Sequence, residues 1–379
     1  MAMTNQTEPK LLPALVSDGQ VLAHVNGCLG VITLNRAQAR NALSLAMIRD
    51  ITRLLHHWTR TPEVQAVLIL GAGLEGKAPA FCAGGDIRFF HKAALSGDPT
   101  LEDFFTEEYE LNYLIHSYTK PYIALMDGVV MGGGMGISKG AKLRVLSERS
   151  RLAMPETQIG LFPDVGGGWF LSQCPGRVGE WLALTGASIG AGDAIAFDLG
   201  DVFVPSCAWP DMLRALLHDP QTSAERVVAT VMSHAELAPA ADHSLALRAS
   251  IDQHFAGATL GDICASLAAA PDDWSATTLA TLRKHSPLML AVTLEQVRRA
   301  RSMNLAEDLH MERDLVYHCF HLRTGAASET VEGIRALVID KDRQPRWNPP
   351  RIEDVSPAMV AAFFESPWTP QNHPLRDLK

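Results

Sequence analysis

The chain has 379 residues, of which 47% are hydrophobic and 20% charged, the balance of a folded globular protein and not of a disordered one. Its 42 acidic against 33 basic side chains give a formal charge of −9, which disfavours nonspecific binding to nucleic acid or to an anionic membrane but leaves room for a local basic patch around an anionic ligand. Six cysteines, at 28, 82, 174, 207, 264 and 319, form no CxxC pair and no disulfide framework.

Residues 1–18 read as a flexible tail. Their start lacks both an apolar leader core and an Arg-rich transit pattern, and no apolar run approaches the length of a membrane span, so a cytoplasmic protein is expected. QVLAHVNGCLGVITLN (20–35) predicts two strands around the turn dipeptide Asn26-Gly27. LSLAMIRDITRLLHHW (43–58) predicts a helix with Leu45, Ile48, Ile51, Leu54 and Leu55 on one face. VQAVLILGAG (64–73) is a strand ended by glycines, and a second helix is expected from Glu102 to Tyr118. PYIALMDGVV (121–130) is a strand stopped by Gly132, Gly133 and Gly134, and LRVLS and DVFVPS are further short strands. Strands alternating with helices over 19–205 indicate an α/β domain. From 206 to 379 helical patterns dominate, LMLAVTLEQVRRARSM being the clearest, and RQPRWNPPRIEDV reads as irregular.

Two catalytic-looking motifs lack the context their chemistry needs. Gly71-Ala72-Gly73-Leu74-Glu75-Gly76 fits GxGxxG, but KAPAFCAGGDI follows where a dinucleotide site requires a helix start. Gly136-Ile137-Ser138-Lys139-Gly140 fits GxSxG, but the turn falls earlier, at the glycine triplet, which places Ser138 inside the following helix as a packing residue. No HExxH or paired-cysteine pattern marks a metal site.

Three other segments carry the chemistry: AFCAGGDI (80–87), DGVVMGGGMG (127–136) and MPETQIGLFPDVGGG (154–168). Glycines between a strand and a helix let the backbone approach a ligand closely, and the free N–H groups of a helix start suit a developing oxyanion. Gly84-Gly85 offers a second donor; the bland alternative is a pair of tight turns. Glu156 and Asp164 lie in loop-like, apolar sequence where burial raises a carboxylate toward the range of a general base. Capping a helix and bracing a turn are the plain alternatives.

In order and spacing these segments resemble the crotonase (enoyl-CoA hydratase/isomerase) superfamily. NRAQARNAL (35–43), KPYIALMDG (120–128) and EGIRALVIDKDRQPRWNP (332–349) also resemble family segments, the last that of the 3-hydroxyisobutyryl-CoA hydrolase branch, and the likeness to that branch runs from about residue 20 to 355. The resemblance implies an α/β fold, a crotonase-like spiral of ββα units followed by a mostly helical C-terminal region. It implies homo-oligomers, trimers being common in the family, though the long C-terminal part leaves the oligomeric state open. Residue by residue, it implies oxyanion donors at the N–H groups of Gly85 and Gly133. The first glutamate of the hydratases, three residues after the triplet's oxyanion glycine, is Gly136 here. The second, twenty-three residues after that glycine, is Glu156, and eight residues further on stands Asp164 in place of the usual glycine. MPET, FPDVGGG and the glutamate of TEEYELN, Glu108, match the hydrolase branch. The implied site is Glu108, Gly133, Glu156 and Asp164.

The resemblance thus implies an acyl-CoA thioesterase acting on a short 3-hydroxyacyl-CoA, foremost 3-hydroxyisobutyryl-CoA. CoA enters as part of the substrate and no cofactor or metal is called for. Arg36, Arg40 and Lys77 are candidate partners of the CoA phosphates. The alternatives are a hydratase or isomerase of the same family, and a noncatalytic acyl-CoA-binding protein.

Overall fold

The computed structural model describes residues 11–218, 222–241 and 247–379. Nine strands form two sheets among these residues. Strands β1 (Val21–Asn26) and β2 (Leu29–Leu34) make the predicted hairpin, with Asn26 paired to Leu29 and Gly27 in the left-handed region at φ +60°. The helix α1 (Leu45–Thr59) follows, capped by Ser44 through Met47 N–H, and buries Ile48, Ile51, Leu54 and Leu55 as its periodicity predicts.

Thereafter three turns of chain contribute one strand to each sheet, and a fourth adds β9 to the large sheet alone. β3 (Ala66–Gly71), β5 (Tyr122–Met126), β7 (Leu143–Leu146) and β9 (Val202–Phe203) extend the hairpin in parallel into a six-stranded sheet of order β1-β2-β3-β5-β7-β9. β4 (Ala80–Cys82), β6 (Val129–Met131) and β8 (Arg151–Ala153) form a second, three-stranded parallel sheet. The helices α2 (Ile87–Ser96), α3 (Thr100–His116), α4 (Gly133–Lys139) and α5 (Gly167–Ser172) close the turns. This is the ββα spiral expected from the resemblance.

Both faces of the large sheet are covered, so its strands read as continuous apolar runs. Val31, Leu68, Ile123 and Val145 point to one cluster, roofed by the helices Trp209–Leu217 and Ala224–Ser233. Ile32, Val67, Ile69, Ala124 and Met126 point to the other, which runs without a break into the helices Pro287–Ala300 and Leu305–His321. The hydrophobic core is therefore continuous across residue 205. The described part of the expected tail, residues 11–18, is held down: buried Asp50 accepts hydrogen bonds from Val16 N–H (2.8 Å) and Ser17 N–H (2.7 Å), and Leu11 O accepts one from Trp58 Nε1 (2.9 Å). Residues 1–10 of that tail lie outside the described residues.

The two discounted motifs fold as their context requires. Residues 72–79 are a loop leading into β4, with no helix behind Gly71. Ser138 is buried within α4 and its hydroxyl donates to Gly134 O at 2.7 Å.

Candidate active site

The three chemistry-bearing segments converge because all three leave the carboxyl end of the small parallel sheet. β4 runs into Ala83-Gly84-Gly85, β6 into Gly132-Gly133, and β8 into Met154-Pro155-Glu156. Parallel α/β sheets place ligands outside the carboxyl ends of their strands. Here a cavity of about 140 Å³ opens at that edge, lined by Gly84, Gly85, Gly132, Gly133, Glu108, Glu156 and Asp164, with Ile87, Phe90, Met131, Leu161 and Leu337 as apolar wall.

The glycines face one another across this cavity. Gly132 takes φ +48° and caps α4, and a Cβ there would fall 2.7 Å from Glu156 Oε1. A Cβ on Gly133 would overlap Glu108 Oε1 and lie 3.4 Å from Gly85 N. Gly133 is the first residue of α4, so its N–H has no partner within the helix. Among the described residues neither that N–H nor the one of Gly85 donates to a backbone carbonyl. Two uncommitted N–H groups a few ångströms apart, one on a helix N-terminus, form a pair suited to an oxyanion.

Three carboxyl groups surround them, only 2% (Glu108), 6% (Glu156) and 5% (Asp164) exposed. Glu108 comes from α3, Glu156 opens a short 3-10 turn (Glu156–Ile159), and Asp164 follows Pro163. Burial, then the charge of Asp164, pushes Glu156 well above the ordinary carboxylate range. Burial, then Asp164 and Glu156, does the same to Glu108. Asp164 is pushed up by burial to about 6, restrained by the hydroxyl of Tyr109, which donates to Oδ2 at 2.9 Å. Glu108 Oε1 and Glu156 Oε2 have no hydrogen-bond partner. Buried like charges this close oppose one another's ionisation, so the three carboxyls titrate as a coupled set.

The position of the missing hydratase carboxylate is sterically closed. A Cβ on Gly136 would lie 2.7 Å from Val165 Cβ and 2.8 Å from Asn112 Nδ2. No longer side chain fits without moving α3 or the Asp164 loop.

Of the residues named from sequence, Gly85, Gly133, Glu108, Glu156 and Asp164 are brought together. Arg40 and Lys77 are not among the residues lining the cavity; both are exposed on loops. Arg40 does abut the site through its backbone, its carbonyl accepting from Ala83 N–H. Arg36 is already engaged, pairing with Asp86 at 2.6 Å and donating to Ala42 O, so it braces the loop that carries Gly85.

Sequence reasoning missed Tyr109, Asn112 and a second acid pair, Asp308 and Glu312. Tyr109 and Asn112 lie one and four residues beyond Glu108 on α3, a spacing that puts Asn112 on the same face as Glu108. Asp308 and Glu312 interrupt the apolar stripe Leu305, Leu309, Val316 and Cys319, the signal that would have exposed them. Both are raised, Asp308 to about 7, chiefly by burial.

A family model described as enoyl-CoA hydratase/isomerase matches residues 29–364. The chain belongs to the enoyl-CoA hydratase/isomerase family. Within it, the chain is 40% identical to 3-hydroxyisobutyryl-CoA hydrolase, mitochondrial, of Xenopus tropicalis, over 97% of this chain and 92% of that one. It is 36% identical to probable 3-hydroxyisobutyryl-CoA hydrolase 3 of Arabidopsis thaliana, covering 93% of each. Among solved structures it matches an enoyl-CoA hydratase from Rhodobacter sphaeroides with TM-score 0.83 and 40% identity, over 92% of this chain and 98% of that one. The name of the Xenopus relative overturns the cytoplasmic expectation, since it points to mitochondria. The physical reason for the miss is that free thiols, six here, mark a reducing setting without saying which one.

Proposed function

We infer that the protein is a thioesterase that hydrolyses a short 3-hydroxyacyl-CoA, 3-hydroxyisobutyryl-CoA foremost, to the free hydroxy acid and CoA. For that substrate the reaction belongs to valine catabolism. The observation that carries this reading is the pairing of a closed Gly136 with a carboxyl at Asp164: the cavity lacks the hydratase's first glutamate, keeps the second as Glu156, and holds a differently placed acid besides. The hydrolase names of the relatives, at 36–41% identity over most of the chain, support it.

The chemistry follows from the geometry. The thioester oxygen sits between the N–H groups of Gly85 and Gly133, which stabilise the tetrahedral oxyanion. Glu156, beside Gly132, delivers the attack on the carbonyl carbon, either directly, forming a mixed anhydride that water then opens, or by taking a proton from an attacking water. The oxyanion collapses, the C–S bond breaks, and a protonated member of the cluster returns a proton to the thiolate. Asp164 and Glu108 are placed to hold the 3-hydroxyl and to supply that proton. Burial and then the neighbouring carboxyls raise the proton affinity of Glu108 and Glu156, the kind of environment in which one cluster supplies both an acid and a base. In this reading CoA enters as part of the substrate and no cofactor takes part.

A hydratase reading draws on the solved relatives described as an enoyl-CoA hydratase and, in Mycobacterium thermoresistibile, a carnitinyl-CoA dehydratase. Adding water across a double bond by a pair of carboxylates needs the acid that Gly136 excludes. Substrate profiling tests the two readings: thiol release from 3-hydroxyisobutyryl-CoA supports hydrolysis, and loss of enoyl absorbance from crotonyl-CoA without thiol release would replace it with hydration.

A further inference from the structure

Asp164 is followed at once by a backbone conformation that its sequence does not favour. Val165 takes φ +58° and Gly166 φ +83°, two left-handed residues in succession. For a β-branched residue this is a genuine outlier, and such outliers persist only where surrounding structure holds them.

The restraint comes from the buried acids of the C-terminal helices. Glu312 Oε2 accepts from Gly166 N–H at 2.7 Å, and its Oε1 accepts from Gly168 N–H at 2.9 Å and from Gln296 Nε2 at 3.0 Å. Gln296 Nε2 also donates to Pro163 O at 2.7 Å. Asp308 Oδ2 accepts from Trp169 N–H at 2.9 Å, while its Oδ1 occupies the space that a side chain on Gly168 would need. The bonds thus land on both sides of Asp164 and on the first turn of α5, whose free N–H groups attract an acid. Glu312, Asp308 and Gln296 are all buried and do not line the cavity.

We propose that Glu312, together with Asp308 and Gln296, is a positioning residue that holds loop 163–169 in its strained form and thereby aims Asp164 into the thioester cavity. It acts on the reaction only through Asp164. This rests on the hydrolase reading and on the part that reading gives Asp164.

The test is a double-mutant cycle in steady-state hydrolysis of 3-hydroxyisobutyryl-CoA by the full chain. Glu312→Gln keeps the size of the side chain but turns one acceptor into a donor that faces an N–H. Misplacing a reacting group by about 1 Å costs roughly 100-fold, so kcat is expected to fall about 30- to 100-fold with KM changed less than about 3-fold. Gln296→Leu, which removes one clamp and leaves Glu312, is expected to lower kcat about 5-fold on the same grounds. On an Asp164→Asn background each change should cost less than about 2-fold more, because coupled residues are not additive. Should Glu312→Gln fail to fold, as judged by its thermal transition, the Gln296→Leu cycle decides. Wild-type rates in the single variants, or equal losses with and without Asp164, would overturn the proposal while leaving hydrolysis by the wild type intact. A wild type that releases no thiol would overturn the hydrolase reading, and the positioning role with it.

Discussion

The protein buries two groups of carboxyls a short way apart, and they are treated in opposite ways. Glu312 gives both oxygens, and Asp308 one, to backbone N–H groups of the 163–169 loop, while Asp308 Oδ1 has no partner. Glu108 and Glu156 each leave an oxygen unpartnered at the cavity. A buried acid without a partner costs stability, and one bonded to several N–H groups costs much less. The pair bonded to the loop fastens the fold; the group that lines the cavity faces the space a ligand enters. The difference teaches that burial, a raised proton affinity and even an orphaned oxygen do not by themselves mark the reacting groups, since both sets have them, whereas lining the cavity does.

The sharpest way to break this contrast is to remove the acid assigned to the attack. Glu156→Gln should lower kcat roughly 1,000-fold or more, in the range of a lost general base, with little change in thermal stability because Glu156 Oε2 has no hydrogen bond to lose. Asp164→Asn should lower kcat roughly 100-fold. It should also move the acid limb of the kcat/KM profile to lower pH, because the Asp164 charge is one of the causes that raise Glu156. In the wild type that limb should lie above the ordinary carboxylate range.

Stability gives the third test. Asp164 binds its proton more tightly folded, at about 6, than at its ordinary 3.8. Its ionisation therefore leaves stability untouched below about pH 4 and costs up to about 3 kcal/mol once pH passes 6. Asp164→Asn should melt higher than the wild type at pH 8, with the gap closing as pH falls toward 4 in a pH series of thermal melts. Gly136→Glu should destabilise by about 1–3 kcal/mol through overpacking against Val165 and Asn112. It should confer no hydration of crotonyl-CoA, which a coupled absorbance assay reads. The smallest effect belongs to Lys77→Ala: being exposed and outside the cavity lining, it should raise KM less than about 3-fold and leave kcat alone, as solvated charges contribute little.

Much of this was legible in the sequence because it is written locally. Strand runs, the Asn26-Gly27 hairpin and the α1 stripe follow from short-range pattern, and the glycine segments follow from their position after apolar strands. The convergence of three loops on one sheet edge is a long-range fact, supplied by the family resemblance and not by periodicity. Asp308 and Glu312 were hidden because a helical pattern with two acids in its apolar stripe still reads as a helix; only the partner loop, more than a hundred residues earlier, explains them. Arg36 looked available as a phosphate partner because a sequence shows a charge but not the Asp86 that occupies it. Likewise residues 11–18 read as loose because nothing in them announces that Asp50, buried on α1, collects their N–H groups.

The central claim is that this cavity cleaves a thioester and does not hydrate an alkene. Purified protein mixed with 3-hydroxyisobutyryl-CoA and a colorimetric thiol reagent, beside a parallel cuvette of crotonyl-CoA followed by enoyl absorbance, tests it most directly. Rapid thiol release with unchanged crotonyl-CoA is the predicted result. Falling enoyl absorbance with no thiol released would contradict the account and make Glu156 a hydratase base working without its usual partner.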